Sequence, residues 1–277
     1  MYDPNKAAKY WGARIKNFDL EHAVLSLNTP SYLNDAYSIW EYQTLLSNLE
    51  KIKNSKIVDI ACGGGRISIP LAKKGAKVTG IDITQEMLDF AKKNAQKNHC
   101  SANLTLVKAS AWDTRLPSNN FDKVLLLGIL EHLPNNFKKK TIKEAYRLCK
   151  NNGKIFIVIN NKNSFFLSEV KKWKKPFQKK SGYYSSLMEP KKITNYLKTL
   201  KLETKIVNSN LNYSILYHYL NSFDQNTLSS KKLQKLSSLF DYYIQLDLNQ
   251  QIRKYFNKKY SDIENSFADQ FFIVATK

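Results

Sequence analysis

One stretch of the chain, residues 57–82, most constrains what this sequence can fold into. It begins with the apolar, β-branched run Ile57–Ile60, which is typical of a buried strand. Three consecutive glycines follow, and residues 67–74 then have the apolar spacing of a helix, with a glycine directly after them as a stop signal. Val78–Ile81 indicates a second short strand, which ends in Asp82. This β–glycine turn–α–β–acid unit predicts an α/β fold that binds a nucleoside-like ligand at the turn.

The acids and glycines of this stretch favour one kind of nucleoside ligand over another. A dinucleotide-binding fingerprint has a third glycine where this chain has Ser68, although Asp82 stands at the right distance to bind a ribose. Asp59 lies at the end of the first strand, where its carboxylate would repel a pyrophosphate. A ligand with a positive charge nearby suits that position better. The alternatives are a glycine-rich turn without a ligand and an NAD site.

At Asp59, Gly63 and Gly65 the sequence resembles motif I of the class I S-adenosylmethionine (SAM) methyltransferases, D-x-x-C/x-G-x-G. SAM carries a sulfonium and an ammonium but no phosphate. The resemblance covers residues 55–160 well and the rest of the chain less well. It implies a Rossmann-like, doubly wound α/β core with a mostly parallel seven-stranded sheet. The last strand of that sheet is expected to be antiparallel and to lie between the fifth and the sixth. Helices from the N-terminus and from insertions are expected to form a cap.

The resemblance also implies which residues hold the cofactor. Asp59 and the backbone around Ala61, Gly63 and Gly65 would bind the methionine part of SAM. Asp82 would accept hydrogen bonds from both ribose hydroxyls, because one carboxylate offers two acceptor oxygens to a vicinal diol. The other expected cofactor contacts are Ile83 and Met87, which would flank the adenine, and Ser110, Ala111, Trp112, Gly128, Tyr10 and Arg14.

The loop after the third strand departs from the family pattern. Ser110 stands where the family usually has an acid for adenine N6, so either Ser110 or Asp113 is expected to make that contact. Ala111 would contribute its backbone N–H. Trp112 would stack on the adenine ring or pack beside the loop as an ordinary surface aromatic.

The segment after the fourth strand, Leu127–Pro134, should face the methyl acceptor, since ligands bind at the carboxyl ends of parallel strands. It resembles the small-molecule branch of the family, including ubiquinone-type O-methyltransferases, whose Glu-x-x-Glu-His pattern can hold a divalent metal. Gly128 replaces the first glutamate here, so we assign no metal. Glu131 and His132 are the candidate catalytic residues, with His132 as a base. The alternative for His132 is a histidine that packs on the sheet or lines the pocket.

Two observations bear on nucleic acid as a partner. The chain lacks the Asn/Asp-Pro-Pro-Tyr motif and the Pro-Cys nucleophile that nucleic-acid base methyltransferases use. Its formal net charge is +21, but only five of its 44 basic residues are arginine, the residue that phosphate and base recognition favours. We attribute the charge mainly to a lysine-rich composition. The basic segment Lys171–Lys180 is the exception, because it concentrates positive charge locally. For this reason nucleic acid remains an alternative partner.

The chain is expected to divide into four parts: N-terminal helices over residues 1–54, a SAM-binding core over 55–207, a helical insertion over 208–269 that caps the substrate, and a final core strand over 270–277. The N-terminal helices are predicted at 6–17 and 32–53. In the first of these helices, Tyr10 and Arg14 either close over the cofactor or serve only in packing and as a surface charge. Further strands are predicted at 104–107, 121–127, 154–159, 203–207 and 271–275, and further helices at 84–97 (capped by Thr84), 137–149 and 190–200, with a turn at 151–153.

Composition places no membrane span in the chain, because no run reaches the roughly 18 apolar residues that a span needs. The N-terminus also lacks the apolar region of a signal peptide, so we expect a cytoplasmic location. Cys62, Cys100 and Cys149 are far apart and fit neither a disulfide framework nor a zinc pattern, so we expect them to be reduced.

Taken together, these features predict a SAM-dependent methyltransferase that methylates an oxygen or nitrogen of a small molecule. The alternatives are a methyltransferase for RNA or another polyanion, a SAM-binding module without catalysis, and a nicotinamide oxidoreductase. The sequence indicates neither the acceptor nor the oligomeric state.

Overall fold

A computed structural model describes residues 2–17, 31–164, 177–179, 181–210, 214 and 268–277. Its helices are α1 (Pro4–Asn17), α2 (Ser31–Asn48), α3 (Ser68–Lys73), α4 (Gln85–Lys97), α5 (Asn135–Leu148) and α6 (Pro190–Thr199). Its strands are β1 (Lys56–Ile60), β2 (Lys77–Asp82), β3 (Leu104–Lys108), β4 (Phe121–Leu127), β5 (Cys149–Asn160), β6 (Phe177–Gln178), β7 (Tyr184–Ser185), β8 (Glu203–Ser209) and β9 (Gln270–Thr276). Two 3-10 turns cover Ser101–Asn103 and Leu130–His132. The expected cap at 208–269 and the basic segment Lys171–Lys180 lie almost entirely outside these residues.

The main sheet has seven strands in the order β3-β2-β1-β4-β5-β9-β8. Strands β1 to β5 pair in parallel, whereas β9 is antiparallel to both of its neighbours, β5 and β8. The expected doubly wound sheet with an antiparallel last strand inserted beside the fifth is therefore confirmed. The strand order reverses between β1 and β4, and such a switch point opens a ligand crevice at the carboxyl ends of the strands.

Apolar burial on both faces of the sheet explains why its central strands are nearly continuous hydrophobic runs. Val124–Leu126 of β4 and Ile155–Ile159 of β5 are fully buried. On one face, α2 packs Trp40, Leu45 and Leu49 into the same apolar cluster as the sheet residues. The prediction that an N-terminal helix lies beside the core is confirmed for α2.

Three local predictions need correction. The helix predicted to reach Lys53 ends at Asn48. Thr84 occupies the N-cap position of α4, but its side chain makes no capping hydrogen bond. The turn predicted at 151–153 lies inside β5, which begins at Cys149; the pairing with β4 is irregular there, and Asn152 has a φ of +62°. A short irregularity of this kind carries turn residues without ending the strand.

The three cysteines are free and buried in the structure. Cys62 lies two residues after the end of β1, and its sulfur lies so close to Gly80 of β2 that a Cβ at position 80 would approach it to 2.8 Å. Gly80 therefore lets the glycine turn lie close against the neighbouring strand.

Candidate functional site

The glycine-rich turn lies at the carboxyl end of β1 and is tied to the end of β2. Cys62 donates its backbone N–H to the carbonyl of Ile81 at 2.9 Å, and Gly63 donates to Oδ2 of Asp82 at 2.9 Å. Ala61 and Gly65 also have positive φ angles, +65° and +88°. A Cβ at Gly65 would come within 2.8 Å of the side chain of Ile69, so the turn can stay this close to α3 only with glycine there.

Asp82 holds the turn and keeps acceptor capacity for a ligand. It is 9% exposed, and its second oxygen, Oδ1, accepts the backbone N–H of Thr84 at 2.9 Å. Burial raises the pKa of Asp82, and the hydrogen bonds from Thr84 and Gly63 oppose that rise. Each carboxylate oxygen has a further lone pair, so both remain able to accept a hydroxyl of a vicinal diol.

Asp59 is buried on the other side of the turn, at 4% exposure. Burial raises the pKa of its carboxyl to about 6, partly offset by the hydrogen bond from Ser68 and the charge of Arg66. The Ser68 hydroxyl donates to Oδ2 of Asp59 at 2.6 Å. The serine that breaks the dinucleotide fingerprint therefore has a structural partner in this site, which sequence spacing did not reveal.

The loop after β3 lies beside Asp82, because Ala109 donates its N–H to the Asp82 carbonyl at 3.1 Å. Ser110 forms a bridge with Asp113 and donates its hydroxyl to the Asp113 carbonyl at 3.3 Å. Ala111 is buried in the main apolar cluster, and the Trp112 ring lies 4.5 Å from that of Phe137. Ser110 and Ala111 are thus placed near Asp82, whereas Trp112 has aromatic partners of its own.

Helix α5 anchors the far end of this loop. Glu144 accepts the backbone N–H of Thr114 at 3.0 Å and forms an ion pair with Arg147 at 2.7 Å. Burial acts against ionisation of Glu144, but the hydrogen bonds from Arg147 and Thr114 outweigh it and lower the pKa to about 2. Glu144 is therefore ionised near neutral pH, and it fixes the loop that carries Ser110 to Trp112.

The segment after β4 places His132 with one ring nitrogen committed to the backbone. Nδ1 of His132 lies 3.0 Å from the carbonyl oxygen of Tyr184 on β7. A carbonyl can only accept, so Nδ1 carries the proton and, in the neutral ring, Nε2 has a free lone pair. His132 can therefore take a proton at Nε2 while Tyr184 holds the ring orientation.

Glu131 and Gly128 lie at the same strand end. Glu131 is 6% exposed, and its Oε2 has no hydrogen-bond partner among the described residues. Burial raises the pKa of Glu131, and the charges of His132 and Lys138 oppose the rise. Gly128 has a φ of +78°, and a Cβ there would meet only Oε1 of Glu131, at 3.8 Å, among described atoms. The strand end therefore has open space beside a buried carboxyl.

Helix α1 brings aromatic side chains against His132. The ring of Trp11 lies 5.0 Å from the ring of His132, and that of Tyr183 lies 5.5 Å from it. Arg14 is buried, donates to the Tyr10 hydroxyl at 3.3 Å, and has its guanidinium carbon 5.3 Å from the centre of the Trp11 ring. Tyr10 and Arg14 thus lie at the edge that carries His132.

The other side of α1 reaches α4 on the expected adenine side. Met87 and Ile15 form a small buried cluster, and Ile83 lies half-buried just before α4 begins. Lys16 makes an ion pair with Glu86 at 3.2 Å, and a Cβ at Gly12 would come within 2.9 Å of the Glu86 carboxylate. Helix α1 therefore contacts α4 on one side and the strand end that carries His132 on the other.

Gly182, in the turn between β6 and β7, permits this close docking of α1. Its φ is +101°, and a Cβ there would lie 2.3 Å from the carbonyl oxygen of Lys6. We expect Gly182→Ala to release α1, with amide hydrogen exchange over residues 4–17 about tenfold faster or more, because backbone atoms must move apart. Gly75→Ala is the matched control: its φ is +84°, but the Cβ would meet a flexible part of Lys53 at 3.3 Å. Equal acceleration of α1 exchange in both variants would contradict this role for Gly182.

The sequence profile of a family described as "Methyltransferase domain" matches residues 57–153, the segment from β1 into β5. This segment of the chain is therefore similar to methyltransferase domains. The match includes the glycine turn, Asp59, Asp82 and the Glu131–His132 pair, whereas α1 and α2 lie before it.

The chain has named relatives among curated proteins. It is 36% identical over 116 residues to a ubiquinone biosynthesis O-methyltransferase of Pelagibacter ubique, and 32% identical over 112 residues to the corresponding enzyme of Coxiella burnetii. These matches cover 42% and 40% of this chain and 46% of each relative. The chain thus spans about half the length of the curated relatives that it matches.

Solved structures share the fold at low sequence identity. Magnesium protoporphyrin IX methyltransferase from Synechocystis, with bound S-adenosylhomocysteine, aligns with a TM-score of 0.56 at 18% identity, covering 74% of this chain and 93% of that one. A possible histamine N-methyltransferase from Thermotoga maritima aligns with a TM-score of 0.56 at 16% identity, covering 97% and 98%. These likenesses confirm the methyltransferase-type fold.

The part of the chain that the structure describes contains neither a metal-binding cluster nor a membrane-spanning helix. No group of three or more His, Cys, Asp or Glu residues there is arranged to hold a metal ion. None of the helices described is both long enough and apolar enough to cross a membrane.

Proposed function

We propose that this methyltransferase domain binds SAM at the switch point between β1 and β4 and transfers its methyl group to an oxygen or nitrogen of a small molecule. The observation that carries the proposal is the position of Asp82. Its carboxylate is buried, is fixed by the N–H groups of Gly63 and Thr84, and keeps an acceptor lone pair on each oxygen. A rigid acceptor pair beside a glycine turn fits the two hydroxyls of a ribose.

Asp59 supports SAM rather than a dinucleotide. It is a second buried carboxylate on the same turn, and a pyrophosphate there would meet two negative charges. An ammonium group would instead form a charge-assisted hydrogen bond with Asp59. In this assignment the turn at Ala61, Gly63 and Gly65 binds the methionine part.

The remaining cofactor contacts surround the adenine and the reacting end. Ile83 and Met87 flank the adenine, and Ser110 and Ala111 face its polar edge. We also assign to the cofactor site Trp112, Gly128, Tyr10 and Arg14.

Bound SAM supplies an activated methyl group on its sulfonium, so the protein needs to align the acceptor and remove a proton. His132 accepts that proton at Nε2, since Nδ1 is held by the Tyr184 carbonyl. Trp11 and Tyr183 flank His132 and position an acceptor beside it. Glu131 offers Oε2, which has no hydrogen-bond partner among the described residues, to a donor on the acceptor.

A small-molecule acceptor is supported by the names of the curated relatives. Those relatives are named for ubiquinone biosynthesis, and the chain has no motif for methylating nucleic-acid bases. The basic segment that favoured a polyanion lies largely outside the described residues, so the structure adds no support for that alternative.

The cofactor assignment is tested by isothermal titration calorimetry with SAM, S-adenosylhomocysteine and NAD in parallel. We expect both adenosyl ligands to bind with dissociation constants below about 100 μM, or about −5.5 kcal/mol. NAD is expected to give no measurable heat at the same concentrations. Binding of NAD without binding of either adenosyl ligand would overturn the proposal.

A further inference from the structure

A buried ion pair joins helix α2 to the glycine turn. Glu41, in the middle of α2, is fully buried and forms an ion pair with Arg66, the residue that follows the three glycines. Its other oxygen accepts the Tyr37 hydroxyl at 2.9 Å. Glu41 precedes the segment that matches the methyltransferase family, whereas Arg66 lies inside it. A part of the chain outside the matched domain is therefore bonded directly to the candidate cofactor site.

Strand β8 also holds α2 through two hydrogen bonds close to Glu41, so Glu41 lies on a helix that is fixed to the sheet. Trp40 donates its indole N–H to the Ser209 carbonyl of β8 at 3.2 Å. Asn208 donates to the Thr44 hydroxyl at 2.8 Å. These bonds lie on either side of Glu41 along α2, so its carboxylate can move little. The position of Glu41 therefore determines where the Arg66 side chain lies.

Arg66 lies two residues before Ser68, whose hydroxyl donates to Asp59 at 2.6 Å, and its positive charge acts on Asp59. The ionisable groups that act on Asp59 are Arg66, which favours its charged form, and Glu41 and Asp82, which disfavour it; Cys62 lies near the same acids. Arg66 is the cation of this group. Without it, three acids would lie together around the turn, and Asp59 would lose the charge that favours its carboxylate.

We infer that Glu41 is a positioning residue for the cofactor site: it holds the Arg66 side chain so that its positive charge acts on Asp59 and keeps the Asp59 carboxylate available to the ammonium group of the cofactor. This inference rests on the proposed function, because it takes SAM as the ligand. It assigns α2 a part in cofactor binding in addition to its packing on the sheet.

The first test measures the affinity for S-adenosylhomocysteine by calorimetry in Glu41→Leu, Arg66→Met and the double variant at pH 7.5. Each single variant leaves one buried charge without its partner, so we expect each to weaken binding about tenfold. The double variant removes both charges and should lie within about threefold of the weaker single variant. If the loss of affinity in the double variant equals the product of the two single losses, the residues act independently and the inference is overturned.

The second test uses pH, because a purely structural role predicts the opposite sign. Asp59 has a pKa of about 6, so wild-type affinity should fall as pH drops below about 6 and the carboxylate takes up a proton. If Glu41 positions Arg66, Glu41→Leu releases the cation and moves this loss of affinity to higher pH, as Arg66→Met does. If Glu41 acts only through its own negative charge, removing it eases ionisation of Asp59 and moves the loss to lower pH. That downward shift, or no shift, would overturn the inference.

A surface ion pair provides matched controls. Glu50 and Lys154 also form an ion pair, but Glu50 is exposed and lies at the start of the loop before β1, away from the glycine turn. Glu50→Leu and Lys154→Met should leave both the affinity and its pH dependence unchanged within about twofold. If wild-type protein binds no S-adenosylhomocysteine, the proposed function fails. If wild type binds but Glu41→Leu and Arg66→Met keep wild-type affinity, only the present inference fails.

Discussion

Asp82→Ala should lower the affinity for S-adenosylhomocysteine by about 100-fold or more, because it removes both acceptors of the ribose hydroxyls. Hydrogen bonds to a charged group contribute about 1.5–3 kcal/mol each, and about 1.4 kcal/mol corresponds to a factor of ten. The same substitution frees the N–H groups of Gly63 and Thr84, which Asp82 now holds. The measurement is calorimetric titration of the wild type and the variant under the same buffer conditions.

The matched control for this prediction is Asp89→Ala, which removes an exposed carboxylate from α4 whose contact is the Gln85 side chain. It should leave the affinity within about twofold of wild type. Asp82→Asn keeps one oxygen acceptor and should lose less affinity than Asp82→Ala. The assignment of Asp82 to the ribose would be refuted if Asp82→Ala, still folded by circular dichroism, bound the ligand as tightly as the Asp89 control.

The second large effect is expected at His132. Asparagine at this position still offers an N–H close to where Nδ1 meets the Tyr184 carbonyl, but it has no base at the position of Nε2. We expect His132→Asn to lower kcat by about 100-fold or more, the usual range for removing a general base, with the affinity for S-adenosylhomocysteine within about threefold. The measurement is the rate of S-adenosylhomocysteine release with a saturating acceptor.

The contrast between kcat and affinity separates proton removal from simple packing. A residue that removes the proton should affect kcat while the affinity for S-adenosylhomocysteine stays near that of the wild type, whereas a loss of packing should weaken both. His99→Asn is a suitable control, since His99 is exposed and lies after α4, away from the acceptor edge. An unchanged kcat in His132→Asn would assign the histidine to the pocket wall and not to proton transfer.

Local spacing was enough to predict the cofactor side of the fold. The β–turn–α–β pattern of residues 57–82 is contiguous, so Asp59 and Asp82 necessarily meet at the ends of two adjacent parallel strands. The position of β9 between β5 and β8 follows from no local pattern, and it was predicted through family resemblance. Helix ends were less certain because apolar spacing continues past Asn48 to Ile52, although the chain leaves the helix there.

The contacts that complete the site are long-range and could not be read from spacing. Glu41 and Arg66 are 25 residues apart, and His132 meets a carbonyl 52 residues away. Neither separation along the sequence corresponds to a helix or strand period. Every residue has a backbone carbonyl, so the amino-acid sequence does not indicate which carbonyl a histidine will contact. Ser68 shows the limit most clearly, because it appeared only as a missing glycine and is in fact the hydroxyl donor to Asp59.

The most direct test of the proposed activity follows the methyl group itself. The protein is incubated with SAM labelled in its methyl group, together with either a small-metabolite extract or purified RNA, and both fractions are counted alongside the release of S-adenosylhomocysteine. We predict that label enters the small-molecule fraction in proportion to that release and that Asp82→Ala abolishes it. Label found only in RNA, or no transfer to any pool by a protein that binds SAM, would contradict the account.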